Sequence, residues 1–270
     1  MITVPAFEIL GGSVRKQTGA ELLVYAPKVE EEEVAAFNLH TAAYGGWYEE
    51  SKALILASGE GTYATSDYAP GIILPFIYDA EFDEDGDLAP QPPQNAPYYP
   101  FWQMSPPPFS AFVIKANIKR NPLFAIGIDA VLSAREALAS TVLDFRQDTS
   151  VQLAVGREDH DAFHAQFASA DFDNAFGRPH SIFVQPVFRE TFNTTSDIVG
   201  ILAAVVGWDV YFANLLPEGV KGITGVLENT CGQAFSYYIE GEKVSAEKGH
   251  SLSDVCPWLA HRTNIVSLLL

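Results

Sequence analysis

Apolar residues recur at helical spacing over residues 28–57, and this pattern predicts helical structure there. Four glutamates, Glu30–Glu33, crowd the first turn, where carboxylates interact favourably with the helix dipole. Gly45 and Gly46 interrupt the pattern, since each glycine costs a helix interior about 1 kcal/mol relative to alanine. Residues 28–57 are therefore expected to be helical, either as one kinked helix or as two shorter ones, within an amino-terminal helical segment at 1–58.

The pattern changes after residue 58 to turn and strand signals. Residues 71–78 (GIILPFIY) read as a strand, 79–87 as an acidic turn and 89–97 as a stiff, proline-rich linker. Helical spacing returns at residues 129–140 and 158–169. This half of the chain thus mixes short strands with helices.

The carboxyl-terminal half carries the clearest strand signals, at residues 180–190, 198–208, 220–229 and 234–240. Residues 198–208 are almost wholly apolar, which indicates a strand buried on both faces. Asp209 is placed to cap a short helix that Pro217 ends. Because short turns join these strands, we expect an α+β fold whose sheet is antiparallel, with Ile198–Val206 as its innermost strand.

Composition agrees with a folded, acidic protein. The 270 residues are 48% hydrophobic, and the formal net charge is −18. That charge repels phosphate backbones, so nucleic acid is not expected as a partner. The longest apolar run, Ile198–Trp208, is about half of the roughly 20 residues that a membrane-spanning helix needs.

Two features favour an exported location. Cys231 and Cys256 are the two cysteines, and they either form one disulfide or remain as buried thiols. Asn193-Thr194-Thr195 is an N-glycosylation sequon in a polar turn. Together they favour an extracellular position, with Cys231 and Cys256 as the candidate disulfide pair and Asn193 as the candidate glycosylation site.

The stretch YYPFWQMSPPPFS, residues 98–110, surrounds a proline triplet with aromatic side chains. Prolines keep the segment extended and outside regular structure. Tyr98, Tyr99, Phe101 and Trp102 then either line a ligand pocket or fasten the segment to the core. Both interpretations are open at this point.

Catalytic motifs are weak. His160 and His164 lie four residues apart, the spacing of two metal ligands on a helix, with His180 as a third candidate, but the glutamate of an HExxH motif is absent. GEGTYA at 59–64 imitates a dinucleotide fingerprint, yet no helix can follow it before Pro70. A metal-dependent enzyme is therefore the weakest hypothesis, and no catalytic residue, metal or cofactor is predicted.

The segments GWYEES, PFWQMSPPPFS, HSIFVQPVFRE and DIVGILAAVVGWDVYFANLLPEGVKGITGVLENTCGQAFSYYIEG resemble the extracellular domain of receptor-type adenylate/guanylate cyclases of diatoms and related algae. The resemblance covers most of residues 1–245 and is more distantly shared with CHASE and Cache sensors, which have PAS-like sheets. It implies a non-catalytic sensor between two membrane helices, followed by a cyclase domain. On this resemblance, the membrane helices and the cyclase domain are expected outside these 270 residues.

The resemblance also implies an organisation and a site. A helical segment (1–58) precedes two PAS-like subdomains (59–133 and 134–245) and a tail (246–270). Trp102 and Gln103, with Tyr98, Tyr99 and Phe101 nearby, correspond to the wall of the ligand cleft, and the intact receptor is expected to be a homodimer. The ligand is a small molecule or a protein, and a structural or adhesion module without a small ligand is the alternative.

Overall fold

The structure is a computed structural model. It describes residues 3–58, 73–82, 88–108, 111–120, 122–140, 180–191, 193–212, 215–220, 222–228, 233–241 and 243–251. Its α-helices are α1 (Phe7–Thr18), α2 (Val34–Tyr44), α3 (Trp47–Ser58) and α4 (Pro122–Ala134). Its strands are β1 (Ala20–Pro27), β2 (Asp79–Phe82), β3 (Leu88–Gln91), β4 (Gln103–Ser105), β5 (Leu138–Ala139), β6 (His180–Phe188), β7 (Ile198–Gly207), β8 (Ile223–Glu228), β9 (Gln233–Glu240) and β10 (Lys243–Ser251).

The main sheet has five strands in the order β4-β1-β7-β6-β5. Every neighbouring pair is antiparallel, and β7 lies in the middle between β1 and β6. Ala203 of β7 stands opposite Val24 on one side and Val184 on the other. The α+β class, the antiparallel sheet and its innermost strand are therefore confirmed.

Helices cover both faces of this sheet, which explains why β7 is apolar at nearly every position. On one face Val24, Val184 and Ile201 share a core with Phe124 and Ile128 of α4. On the other face the amino-terminal helices supply the cover, and the shared core contains Leu23, Tyr25, Phe7, Trp47 and Trp102. The molecule is thus a sheet between two unequal helical layers.

The amino-terminal segment is helical only in part. Residues 34–58 form α2 and α3, with the break at Gly45 and Gly46 as expected. The expectation of a helical segment over the whole of 1–58 is wrong, because Ala20–Pro27 forms β1, a neighbour of the central strand. All but one of the residues of β1 are buried, so the strand has no alternating pattern to reveal it.

The five-stranded sheet crosses the expected domain boundaries. It takes β1 from residues 1–58, β4 from 59–133 and its other strands from 134–245. The strands expected at 220–229 and 234–240 exist as β8 and β9, but they form a separate three-stranded sheet with β10. Since β10 runs to Ser251, this second sheet extends into the expected tail at 246–270.

Several local expectations also need correction. The strand lies at Asp79–Phe82 and not in the described part of 71–78, and it pairs with β3 where a linker was expected. Helix α4 ends at Ala134, since Arg135 adopts a left-handed φ of 57°, and β5 follows it. After β7 the chain makes a 3-10 turn, Trp208–Tyr211, whose N-cap position is Gly207, so Asp209 lies inside the turn and not at its cap.

Two further expectations concern a second helix and membrane-spanning segments. The helix expected at 158–169 lies outside the described residues. In the described part of the chain, no helix is both long enough and apolar enough to cross a membrane.

Candidate functional site

The five residues expected to line a ligand cleft are all buried in the packed core. Tyr98, Tyr99, Phe101, Trp102 and Gln103 lie in one extended segment that leads into β4. Their main chain is hydrogen-bonded on both sides. Tyr98 exchanges two hydrogen bonds with Val29, just after β1, and on the other side the Phe101 amide donates to the Ala116 carbonyl. The segment therefore belongs to the body of the protein.

Trp102 fastens the amino-terminal helices to the sheet. Its side chain is only 1% exposed. Its indole meets Phe37 and Trp47 edge to face, at centroid separations of 6.0 and 5.9 Å. The indole N–H donates to Thr3 Oγ1 at 3.0 Å. These contacts favour the interpretation that the aromatic side chains anchor the segment to the core.

Gln103 and Tyr98 are likewise engaged by the protein itself. The Gln103 carboxamide accepts from the Val4 amide at 2.7 Å and donates to the Val4 carbonyl at 2.9 Å. The Tyr98 hydroxyl donates to the Glu31 carboxylate, and this bond raises the pKa of Tyr98 to about 12. Neither polar group is left for a ligand in this conformation.

Asp79 joins the segments that lie next to residues 98–103. Its place in an acidic turn did not reveal this role. Its buried carboxylate accepts hydrogen bonds from Asn117 Nδ2 at 2.9 Å, from Arg120 Nε at 3.0 Å and from the Gln94 amide at 3.0 Å. Asn117 Oδ1 in turn accepts from the Tyr99 amide. The carboxylate is thus a structural centre that joins three segments.

Lys115 differs from these polar residues because its side chain has no partner among the residues that the structure describes. The residue is only 2% exposed, and it has a left-handed φ of 75°, which is uncommon for a residue with a side chain. Its amide donates to the Phe101 carbonyl at 2.7 Å, and its carbonyl accepts from the Tyr78 amide at 3.3 Å. Its ammonium group has no hydrogen bond or ion pair within the described ranges.

This lack of a partner sets Lys115 apart from other lysines. Three lysines elsewhere in the described residues pair with carboxylates, in the pairs Lys28–Glu30, Lys52–Glu49 and Lys119–Asp129. Burial lowers the pKa of Lys115 to about 8, so most of the molecules still carry its charge at neutral pH. Lys115 is thus a largely buried residue whose ammonium group has no protein partner in the described part of the chain.

Tyr99 contributes a second buried polar group without a partner. Its hydroxyl has none among the described residues, and burial raises its pKa. Tyr99 belongs to the apolar cluster that contains Phe101 and Phe124, and its carbonyl accepts from the Ile118 amide. The two segments that carry Tyr99 and Lys115 therefore lie side by side.

The remaining predicted residues are not brought together. His160, His164, Cys231 and Cys256 lie outside the described residues. His180 is buried at the start of β6, with Nε2 at 3.1 Å from Glu21 Oε2. Among the residues that the structure describes, no cluster of three or more His, Cys, Asp or Glu side chains could hold a metal ion.

Asn193 lies in a turn between β6 and β7, as expected. Its side-chain oxygen accepts hydrogen bonds from the Thr195 amide at 3.1 Å and from the Thr195 hydroxyl at 2.6 Å. Its side-chain nitrogen donates to Glu190 at 2.7 Å. The sequon is therefore held in an Asx turn at the protein surface.

No protein-family model matches the chain, and no curated protein or solved structure matches it significantly.

Proposed function

We propose that the chain is a non-catalytic sensory domain that binds a small ligand outside the cell and regulates a cyclic-nucleotide cyclase in its parent receptor. Taken in chain order, the strands of the main sheet are arranged 2-1-5-4-3 in one antiparallel sheet, and the resemblance implies an antiparallel PAS-like sheet. This arrangement is the observation that carries the proposal. It supports a single PAS-like unit around the main sheet, in place of a boundary near residue 133.

The contact between α1 and β4 offers a route for the signal. Arg15 Nε donates to Ser105 Oγ at 3.0 Å, and Arg15 Nη2 pairs with Glu8 at 2.9 Å. Gly11 lies so close that an added Cβ would meet Ser105 Cβ at 2.4 Å. Since β4 continues the 98–102 segment, a change in that segment would shift α1. A ligand can bias this shift only by its difference in affinity for the two arrangements.

The turn at Asn193 supports the extracellular position. A glycan needs an exposed side chain, and the neighbouring Thr194 and Thr195 are exposed. Attachment there would leave the buried residues of β6 and β7 undisturbed.

Helix α2 supports self-association of the sensor. Residues 34–44 contain no charged side chain in a protein of formal charge −18, and Leu39 is 74% exposed. Two copies of this acidic chain repel each other least where their surfaces are uncharged, so the partner proposed for this face is a second copy of the chain. Sedimentation of wild type and Leu39→Glu tests it, and a wild type that stays monomeric at high concentration would contradict it.

The alternative is an interaction module that binds no small ligand. Exposed Ile9 and Leu10 on α1 are the observation in its favour. In that case the apolar surface would bind another protein, and the interior would have no binding role.

The test of the sensor proposal uses both the purified chain and the full receptor. A metabolite library is screened for compounds that raise the melting temperature of the chain, and each hit is added to membranes that contain the full-length parent. We expect at least one hit to change the rate of cyclic-nucleotide synthesis. A parent without a cyclase domain, or one that ignores every compound that binds the chain, would refute the proposal.

A further inference from the structure

We propose that Lys115 is the anion-recognition group of the sensor's ligand site and that the ligand is a small organic monocarboxylate. This inference rests on the proposed sensor function and adds the chemical class of the ligand. It begins from the lack of any partner for the Lys115 ammonium group in the described part of the chain.

The first argument is the cost of a buried charge. An ammonium group removed from water is strongly unfavourable unless a counter-charge or hydrogen bonds compensate it. The chain has 34 acidic residues against 16 basic ones, so carboxylates are abundant. Lys28, Lys52 and Lys119 pair with them, whereas Lys115 does not. An anion from outside the chain would supply the missing counter-charge.

The second argument is the fixed position of the residue. Hydrogen bonds from its amide to Phe101 and from Tyr78 to its carbonyl hold the Lys115 backbone on both sides. They hold it in the left-handed region, at φ 75°. Strained backbone of this kind persists where the surroundings over-determine it, and it is concentrated at functional sites. A lysine held in this way is preorganised and loses little freedom when a ligand binds.

The third argument concerns the class of anion. The net charge of −18 repels phosphates and other multiply charged ligands more strongly than it repels a single carboxylate. The Tyr99 hydroxyl is a second unpartnered donor in the neighbouring segment, and a carboxylate has two oxygens to accept from two donors. Phe101 and Phe124, which share the Tyr99 cluster, suit an apolar remainder of the ligand.

The burial of Lys115 has a kinetic consequence. Because the residue is only 2% exposed, a carboxylate can contact the ammonium group fully only when the residues around Lys115 move apart. Binding that requires such a step is slower than ordinary docking, so we expect an association rate below about 10⁵ M⁻¹ s⁻¹.

The probes are unbranched monocarboxylates from acetate to octanoate and the proteinogenic amino acids, each with its primary amide as an uncharged match. Binding is measured by calorimetry and by the NMR signal of ¹³Cε-labelled Lys115. We expect one or more carboxylates to bind, to shift the Lys115 signal and to raise the pKa measured from it. The matched amides should bind at least 100-fold more weakly.

Two variants separate recognition from general charge effects. Lys115→Met keeps an unbranched chain of similar length without the charge, and it should lose at least 100-fold in carboxylate affinity. Lys119 is four residues from Lys115 and pairs with Asp129. Lys119→Met therefore removes a nearby lysine charge, and this variant should bind carboxylates as wild type does. If Lys115→Met does not fold, the NMR titration of wild type still decides the question.

The outcomes distinguish this inference from the sensor proposal. Carboxylates that fail to bind wild type, or that bind Lys115→Met equally well, overturn the inference. If uncharged metabolites nevertheless bind the chain and alter the parent's cyclase rate, the sensor proposal stands without it. If a carboxylate binds through Lys115 and the cyclase rate is unchanged, the Lys115 site stands and the sensor proposal fails.

Discussion

The indole N–H of Trp102 donates to the hydroxyl of Thr3 at 3.0 Å, across 99 residues of sequence. Thr3 Oγ1 also lies 2.8 Å from His40 Nε2, so a chain of two hydrogen bonds leads from Trp102 to α2. One buried tryptophan thus joins the amino terminus, a helix and the segment that precedes β4. We therefore expect Trp102 to contribute strongly to the free energy of unfolding.

Replacing Trp102 with alanine should lower the free energy of unfolding by about 3–5 kcal/mol, the usual cost of removing a buried aromatic ring. The change leaves a cavity beside Phe37 and Trp47, and Thr3 loses its donor. Urea denaturation measures the effect. Phe76→Ala is the control, because its ring is 45% exposed and should cost far less. Equal losses in the two variants would contradict the anchoring role of Trp102.

Gly200 allows β1 and β7 to approach each other closely. A Cβ at this position would lie 2.9 Å from the Ala26 carbonyl oxygen and 3.1 Å from Pro27 Cα, and backbone atoms cannot move aside cheaply. Gly200→Ala should therefore destabilise the fold by about 1–3 kcal/mol. Gly46→Ala faces open space and should stabilise it by about 0.5–1 kcal/mol. Thermal unfolding of both variants checks the opposite signs, and a neutral Gly200→Ala would show that the strands can separate.

His40 should make stability depend on pH. Burial lowers its pKa in the folded protein, whereas the unfolded residue titrates near pH 6.5. Between the two values the unfolded chain binds more protons, so the free energy of unfolding rises with pH. This contribution is fully present above about pH 6.5 and is lost as the pH falls through the folded pKa.

The measurement compares urea unfolding at about pH 5.5 and pH 7.5, on either side of the histidine titration. His40→Gln keeps a polar group beside Thr3 and removes the titration. The gain in stability between these pH values should be smaller in His40→Gln than in wild type. An identical gain in both proteins would assign the pH dependence to other groups.

The central strand could be predicted because its signal is local and long. Ten residues from Ile198 to Gly207 form a nearly continuous apolar run. By contrast, β4 and β5 have three and two residues, which is too short for any periodic pattern. The resemblance implied a boundary near residue 133, and no local signal from β4 or β5 argued against it.

The site was harder to predict because burial of polar residues is decided by distant parts of the chain. An aspartate at the start of an acidic stretch is usually exposed, yet Asn117 and Arg120 bury Asp79 from 38 and 41 residues away. Lysine is likewise a surface residue in most contexts, and no local pattern marks Lys115 as buried. The aromatic residues at 98–102 were visible in the sequence. A pocket wall and a core anchor use the same residue types, however, so composition could not distinguish the two roles.

The Asp79 carboxylate provides the last prediction. Its two oxygens accept from Asn117, Arg120 and Gln94, and asparagine would offer one acceptor oxygen in their place. Asp79→Asn should therefore lower the free energy of unfolding by about 3 kcal/mol, since buried donors are left unpaired. Asp197→Asn is the matched control, because Asp197 pairs with Arg189 at 3.4 Å while its side chain is 78% exposed, and it should change stability by less than about 1 kcal/mol. Equal effects in urea denaturation would mean that apolar packing alone holds the segments that carry Tyr99 and Lys115 together.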